Sequence, residues 1–126
     1  MKKYEEYKTR LAKIADIGYS VALLGWDQET YMPEKGAGFR AQQIATLSGI
    51  SHELSVEKEL GELLKKLHKK KGLDKKQQRN VAESLKDYKE SKKYTTEFVE
   101  LLSKTTSECY QAWHKAKKES NFKIFD

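Results

Sequence analysis

With 126 residues the chain has room for one domain and hardly for two, and at this size a core forms without disulfides or metals. Its 37% apolar and 35% charged residues suit helices with one buried stripe, and the lone Cys109 excludes a disulfide framework and fits a reducing compartment. The net charge of +6 raises nucleic acid as a partner, but lysines alternate with glutamates along the helical stretches and only Arg10, Arg40 and Arg79 are arginines, which argues against it.

Five helical stretches follow from apolar spacing and caps. The first spans about Lys3 to Leu24, with Tyr4, Tyr7, Leu11, Ile14, Ile17, Val21 and Leu24 on one face. The second begins after the sole proline, Pro33, and the Gly36–Gly38 lead-in, and carries Phe39, Ile44, Leu47, Ile50 and Leu54. Ser55 reads as the N-cap of a third, with Glu57 and Glu59 in its first turn, the stripe Val56, Leu60, Leu63, Leu64, Leu67, and a stop at Gly72. Asp74 and Gln77 form a capping box for the fourth, whose inner face is Val81, Leu85 and Tyr88 and whose last turn falls in 90–93. Thr95 or Thr96 caps the fifth, with Phe98, Val99, Leu102, Thr106, Cys109, Trp113 and Ala116 as its apolar line. That helix loosens near Ser120-Asn121, leaving Phe122 and Phe125 to anchor the tail. No strand alternation competes, so the expected fold is all-α, a single domain over 1–126, with short connections that place neighbouring helices antiparallel.

The longest apolar run, Val21-Ala22-Leu23-Leu24, is far short of the roughly 20 residues a bilayer span requires. Met1-Lys2-Lys3-Tyr4 lacks the apolar core of a signal peptide, so the expected location is cytoplasmic, with no membrane partner. The basic run Lys65–Lys71 reads as a solvated helix end, where cations complement the terminal carbonyls.

The search for chemistry returns mostly negatives. His52-Glu53 begins like the zinc-binding His-Glu-x-x-His, but the second histidine position holds Val56. His68 lies among lysines, and His114 has Lys117 and Lys118 three and four residues on rather than a carboxylate or histidine, so all three histidines read as surface or boundary residues. Cys109 falls in the apolar line of the last helix and reads as a small buried hydrophobe. No catalytic or metal-binding residue is assigned. One stretch resists a bland reading: Gly25-Trp26-Asp27-Gln28-Glu29-Thr30-Tyr31-Met32-Pro33 crowds aromatics, polar groups and a proline into one interhelical junction.

That junction, followed by Gly36 and Arg40-Ala41-x-Gln43-x-Ala45-x-Leu47, resembles the opening signature of the carboxypeptidase Taq family of thermostable metallocarboxypeptidases. A second block, Ala112-Trp113-x-x-Ala116-Lys117-x-x-x-Asn121-Phe122-x-x-Phe125, is similar to a later segment of the same family. Lys117 stands where the family often has arginine, no acidic residue follows Asn121, and Tyr94-Thr95-Thr96 replaces a segment that often holds proline. Members are several times longer than this chain. The resemblance implies a helical enzyme that removes C-terminal residues from peptides, with zinc or cobalt on a His-Glu-x-x-His helix and a downstream glutamate. None of those residues lies in the matched region, so this chain is expected to be the front part of such an enzyme, inactive by itself. It also implies a wall or roof over the substrate groove, the remainder of the polypeptide as partner, and a homodimer. Trp26, Asp27, Met32, Pro33, Arg40 and Trp113 are the expected groove-lining or interdomain residues, with Arg40 paired to Asp27 or to a carboxylate elsewhere in the longer polypeptide. The competing readings are a stand-alone helical interaction module and, second to it, a basic helical nucleic-acid binder.

Overall fold

Helices account for nearly all of residues 2–124, the part of the chain that the computed structural model describes, and no strand occurs among those residues. In chain order they are α1 (Lys2–Thr30), α2 (Ala37–Ser55), α3 (Lys58–Lys69), α4 (Lys75–Ser91) and α5 (Thr96–Glu119), with 3-10 turns at Glu34–Gly36 and Phe122–Ile124. The expected all-α architecture of five helices is therefore the observed one.

Two boundaries differ from the sequence expectation. α1 does not stop at Leu24; it runs on through Trp26 to Thr30, so only the last three residues of the junction are a link. A single glycine, Gly25, costs a helix only about 1 kcal/mol, and the first true stop is Pro33, which disfavours helical backbone at the residue before it. The Asp27 carbonyl closes the last turn by accepting the amides of Tyr31 (3.0 Å) and Met32 (2.9 Å). At the other boundary Ser55 is not the cap of α3. It is the last residue of α2, with its hydroxyl donating to the Ser51 carbonyl at 2.8 Å. Glu57 holds the N-cap position of α3 instead, but its carboxylate makes no cap bond. It accepts from Arg10 Nη1 at 2.9 Å, a link that fastens α1 to the start of α3.

Asp74 and Gln77 form the expected capping box: each side chain accepts the other's backbone amide, at 2.8 and 3.1 Å. Thr95 caps α5 by accepting from the Phe98 amide at 3.0 Å.

The main core joins the start of α1 to the α3–α4 hairpin. Tyr4 and Tyr7 pack with Leu60, Leu63, Leu64 and Leu67 of α3, and with Val81, Leu85 and Tyr88 of α4. Leu64 and Val81 are 0% exposed, as the helical stripes require. Tyr7 is the polar member. Its hydroxyl donates to the Asn80 carbonyl (3.1 Å) and shares a 2.6 Å bond with Ser84, and burial raises its phenol above the ordinary value.

α2 and α5 pack by a different rule. α2 presents Ala41, Ala45 and Gly49 at four-residue steps, and α5 answers with Ser103, Ser107 and Ala116. The Ser48 and Ser103 hydroxyls meet at 3.3 Å, and a Cβ at Gly49 would overlap the Glu100 side chain. This is a close, antiparallel pair in which backbones approach because side chains are small. Large apolar groups of α5 are displaced to its flank. Phe98, Leu102, Cys109 and Trp113, expected to be buried, are exposed, and Ser107 is the buried residue instead. α5 thus returns to α2 and does not pack on α4, its neighbour in sequence. Phe122 is exposed rather than anchoring the tail, and Phe125 lies outside the described residues.

Candidate functional site

The end of α1, the 3-10 turn at 34–36, the start of α2 and the end of α5 meet at one end of the molecule. Antiparallel packing of α2 and α5 brings the end of α5 beside the turn that precedes α2, where Lys118 reaches Glu34 at 3.6 Å. All six expected contact residues stand here.

Arg40 is the organising side chain. Its Nη1 donates to Asp27 Oδ2 at 2.8 Å and to the Leu24 carbonyl at 3.0 Å, with only 18% of the side chain exposed. Of the two partners considered for Arg40, the chain itself supplies Asp27. A guanidinium suits this place because its fixed fork serves a carboxylate and a carbonyl together. The pair ties the start of α2 to the last turns of α1 and holds Trp26 in register. Trp26 packs edge-on against Tyr31 with ring centroids 5.5 Å apart, yet both rings stay largely exposed. Thr30 donates to the Trp26 carbonyl at 2.8 Å, completing the turn beneath the indole. Met32 is half-buried and lies over Gly36, where an added Cβ would stand 3.6 Å from its Cγ. Pro33 is exposed and extended, and its carbonyl accepts the Gly36 amide at 2.9 Å. Among the described residues the buried amide nitrogen of Gln28 finds no hydrogen-bond partner.

Trp113 sits on the neighbouring helix. Lys117 lies over its ring at 5.0 Å, and Tyr110 packs at 6.1 Å. An apolar notch of about 440 Å³ opens between Trp113, Ala116 and Phe122. Among the described residues no hydrogen bond or ring contact joins Trp113 to Trp26. The site is thus two adjacent apolar surfaces, not one closed pocket.

Metal chemistry has no seat among the described residues, which contain no group of three His, Cys, Asp or Glu side chains able to hold an ion. His68 is exposed beside lysines, and His114 packs on Tyr110 with ring centroids 6.1 Å apart. His52 corrects the expectation of a surface or boundary role: it is buried, with Nε2 2.8 Å from the Tyr94 carbonyl, tying α2 to the turn before α5. The signal for it was the row Ala41, Ala45, Gly49, whose small side chains mark the contact face that His52 extends by three residues. Cys109 is free and exposed on α5.

The family model for carboxypeptidase Taq (M32) metallopeptidases matches residues 6–126 of this helical chain. The chain belongs to that family. It is 32% identical over 125 residues to thermostable carboxypeptidase 1 of Pyrococcus furiosus, covering 97% of this chain and 25% of that protein. Carboxypeptidase 1 of Bacillus subtilis is 30% identical over 126 residues, covering 96% of this chain and 24% of the relative. A solved structure named BsuCP superposes with a TM-score of 0.94 at 27% identity, over 99% of this chain and 25% of that one. Another, named CHT, is 51% identical with a TM-score of 0.74 over the same shares. The chain spans about a quarter of the length of the curated relatives it matches.

Proposed function

We propose that this chain is the front segment of a zinc-dependent carboxypeptidase that removes C-terminal residues from peptides, and that it serves there as a wall or roof of the substrate groove. The supporting observation is the pair of exposed apolar surfaces, Trp26 and Tyr31 at the end of α1 and Leu101, Leu102 and Trp113 on α5, within a fold that relatives carry as one quarter of a longer chain. Exposed apolar faces of this kind mark contact with another surface. The remainder of the polypeptide is their proposed partner. The His-Glu-x-x-His helix and the later glutamate lie in that remainder, where a bound metal would activate water toward the peptide carbonyl. Residues of this chain do no bond-breaking. Arg40 and Asp27 hold α1 and α2 so that Trp26, Met32 and Pro33 present a fixed surface to the groove or to the body. A homodimer in the cytoplasm completes the proposal.

The test is complementation. Residues 1–126 would be produced together with Bacillus subtilis carboxypeptidase 1 lacking its own front quarter, and release of a C-terminal amino acid measured. We expect no release and no stoichiometric zinc from the isolated chain, recovered release from the mixture, and at least a tenfold loss (about 1.4 kcal/mol) with Arg40→Ala. Release or stoichiometric zinc in the isolated chain overturns the assignment, as does a mixture that stays inactive although the two parts bind each other.

A further inference from the structure

The opposite end of the molecule has a separate chemistry. Residues 65–80 hold eight Lys and Arg against one carboxylate, Asp74, whereas the rest of the chain has seventeen cations and eighteen carboxylates. The excess of +6 therefore resides wholly in the tip of the α3–α4 hairpin. The alternation of lysine with glutamate fails at this one place. Folding concentrates the charge further, because the start of α1 lies antiparallel to α3 and adds Lys2 and Lys3. An open hollow of about 670 Å³ between these helices is lined by Lys2, Lys3, Lys66, Lys69 and Lys70. A second, of about 720 Å³, continues from Lys70 past Lys71 and Lys75 to Arg79. All eight cations are exposed, and among the described residues none forms an ion pair. Asp74, the one carboxylate of the tip, is occupied in capping α4.

We propose that this track docks on the phosphate backbone of duplex nucleic acid without reading its sequence. Lysine ammonium groups neutralise phosphates as point charges, and release of counterions drives the contact. One arginine in the track leaves little capacity for bidentate reading of base edges. Single strands are disfavoured, because stacking needs exposed aromatics and every large exposed apolar side chain lies outside α3 and α4. The same lack leaves nothing to seat in a bilayer, and the two shallow hollows share Lys70, so their cations form one continuous track that suits a linear polyanion. The intervening length of α1, about 42 Å, separates the track from the apolar end.

The test is fluorescence anisotropy of a labelled random-sequence DNA duplex titrated with the chain at roughly 50 and 200 mM salt. Affinity should fall by two to three orders of magnitude across that range, as roughly five neutralised phosphates require. Joint Lys66→Gln, Lys70→Gln and Lys71→Gln substitution should flatten the logarithmic salt slope by roughly 3. The same three positions changed to Arg should retain binding, and Leu102→Gln at the other end should leave it unaltered. Because these lysines are exposed, circular dichroism should be unchanged; if the Gln variant unfolds, Lys75→Gln with Arg79→Gln in the second hollow carries the same expectation. Absence of duplex binding at the lower salt overturns the proposal, as does a slope that neither Gln variant changes. Tighter binding to a single strand of equal length, or binding to phosphatidylserine vesicles without binding to duplex, also overturns it.

Discussion

The α3–α4 hairpin with the first turns of α1, and the α2–α5 pair with the last turns of α1, use helix packing in opposite ways. In the first region long side chains interdigitate, so leucines and tyrosines bury one another. In the second, alanine, serine and glycine let two backbones approach, and bulky groups are pushed to the flank. Among the described residues, all twelve large hydrophobic ones that stay exposed lie outside α3 and α4. The comparison teaches that burying a helix and burying its apolar residues are separate outcomes. α5 is firmly placed by small side chains while its hydrophobic line faces outward, free to take part in another contact.

This contrast can be broken most directly at Leu64, which is 0% exposed. Leu64→Ala should cost about 3 kcal/mol in a urea titration, whereas Leu102→Ala on the flank of α5 should stay within about 0.5 kcal/mol. Equal losses would mean that the second region carries a leucine core after all. Next in size is Gly61→Ala, where a Cβ would overlap the buried ring of Tyr88. Because a packed aromatic cannot swing aside, about 2 kcal/mol of stability should be lost.

Tyr7→Phe should cost about 1 kcal/mol at neutral pH, through loss of the hydroxyl's bonds to Asn80 and Ser84. Burial is the main reason its phenol is raised above 10.0; Tyr4 and Asp87 add to the rise and the Ser84 bond opposes it. The folded chain then keeps a proton that the unfolded chain releases. This contribution is complete below pH 10.0 and fades as pH rises toward the folded value. Alkaline melting curves of the wild-type chain and Tyr7→Phe should therefore converge above that pH. Smallest of all is Gly49→Ala. The overlapping group there is the Glu100 side chain, which can turn away, and alanine recovers about 1 kcal/mol of helix propensity. Thermal melting should shift by only a few degrees, in contrast to Gly61→Ala.

Legibility in the sequence follows the same division. Where stripes were built from leucine and capped by Asp74 and Gln77, spacing alone located α3 and α4 and named their buried faces. Where packing depends on small residues, hydropathy pointed the wrong way: Cys109 and Trp113 were assigned inward although Ser103 and Ser107 form the contact. Helix ends followed stereochemistry more closely than composition. Trp26–Thr30 looked like a loop because of its bulk, but nothing before Pro33 compels the helix to stop. Ser55 had the right chemistry for a cap and the wrong surroundings, since α2 continued through it. At the candidate site, the Arg40–Asp27 pair was legible as one of two options. The placement of Trp26 and Trp113 at a common end required the long-range return of α5 to α2, which no local pattern encodes.

The buried His52 adds a consequence for observation in solution. A carbonyl oxygen has no proton to give, so the 2.8 Å contact with Tyr94 obliges the imidazole to be the donor. The ring hydrogen therefore belongs on Nε2, and the opposite tautomer would set two acceptors against each other. Nitrogen-15 chemical shifts of this one side chain would then report whether α2 and α5 remain in register. A single imidazole thus serves as a built-in gauge of the less hydrophobic half of the molecule, readable without altering any residue.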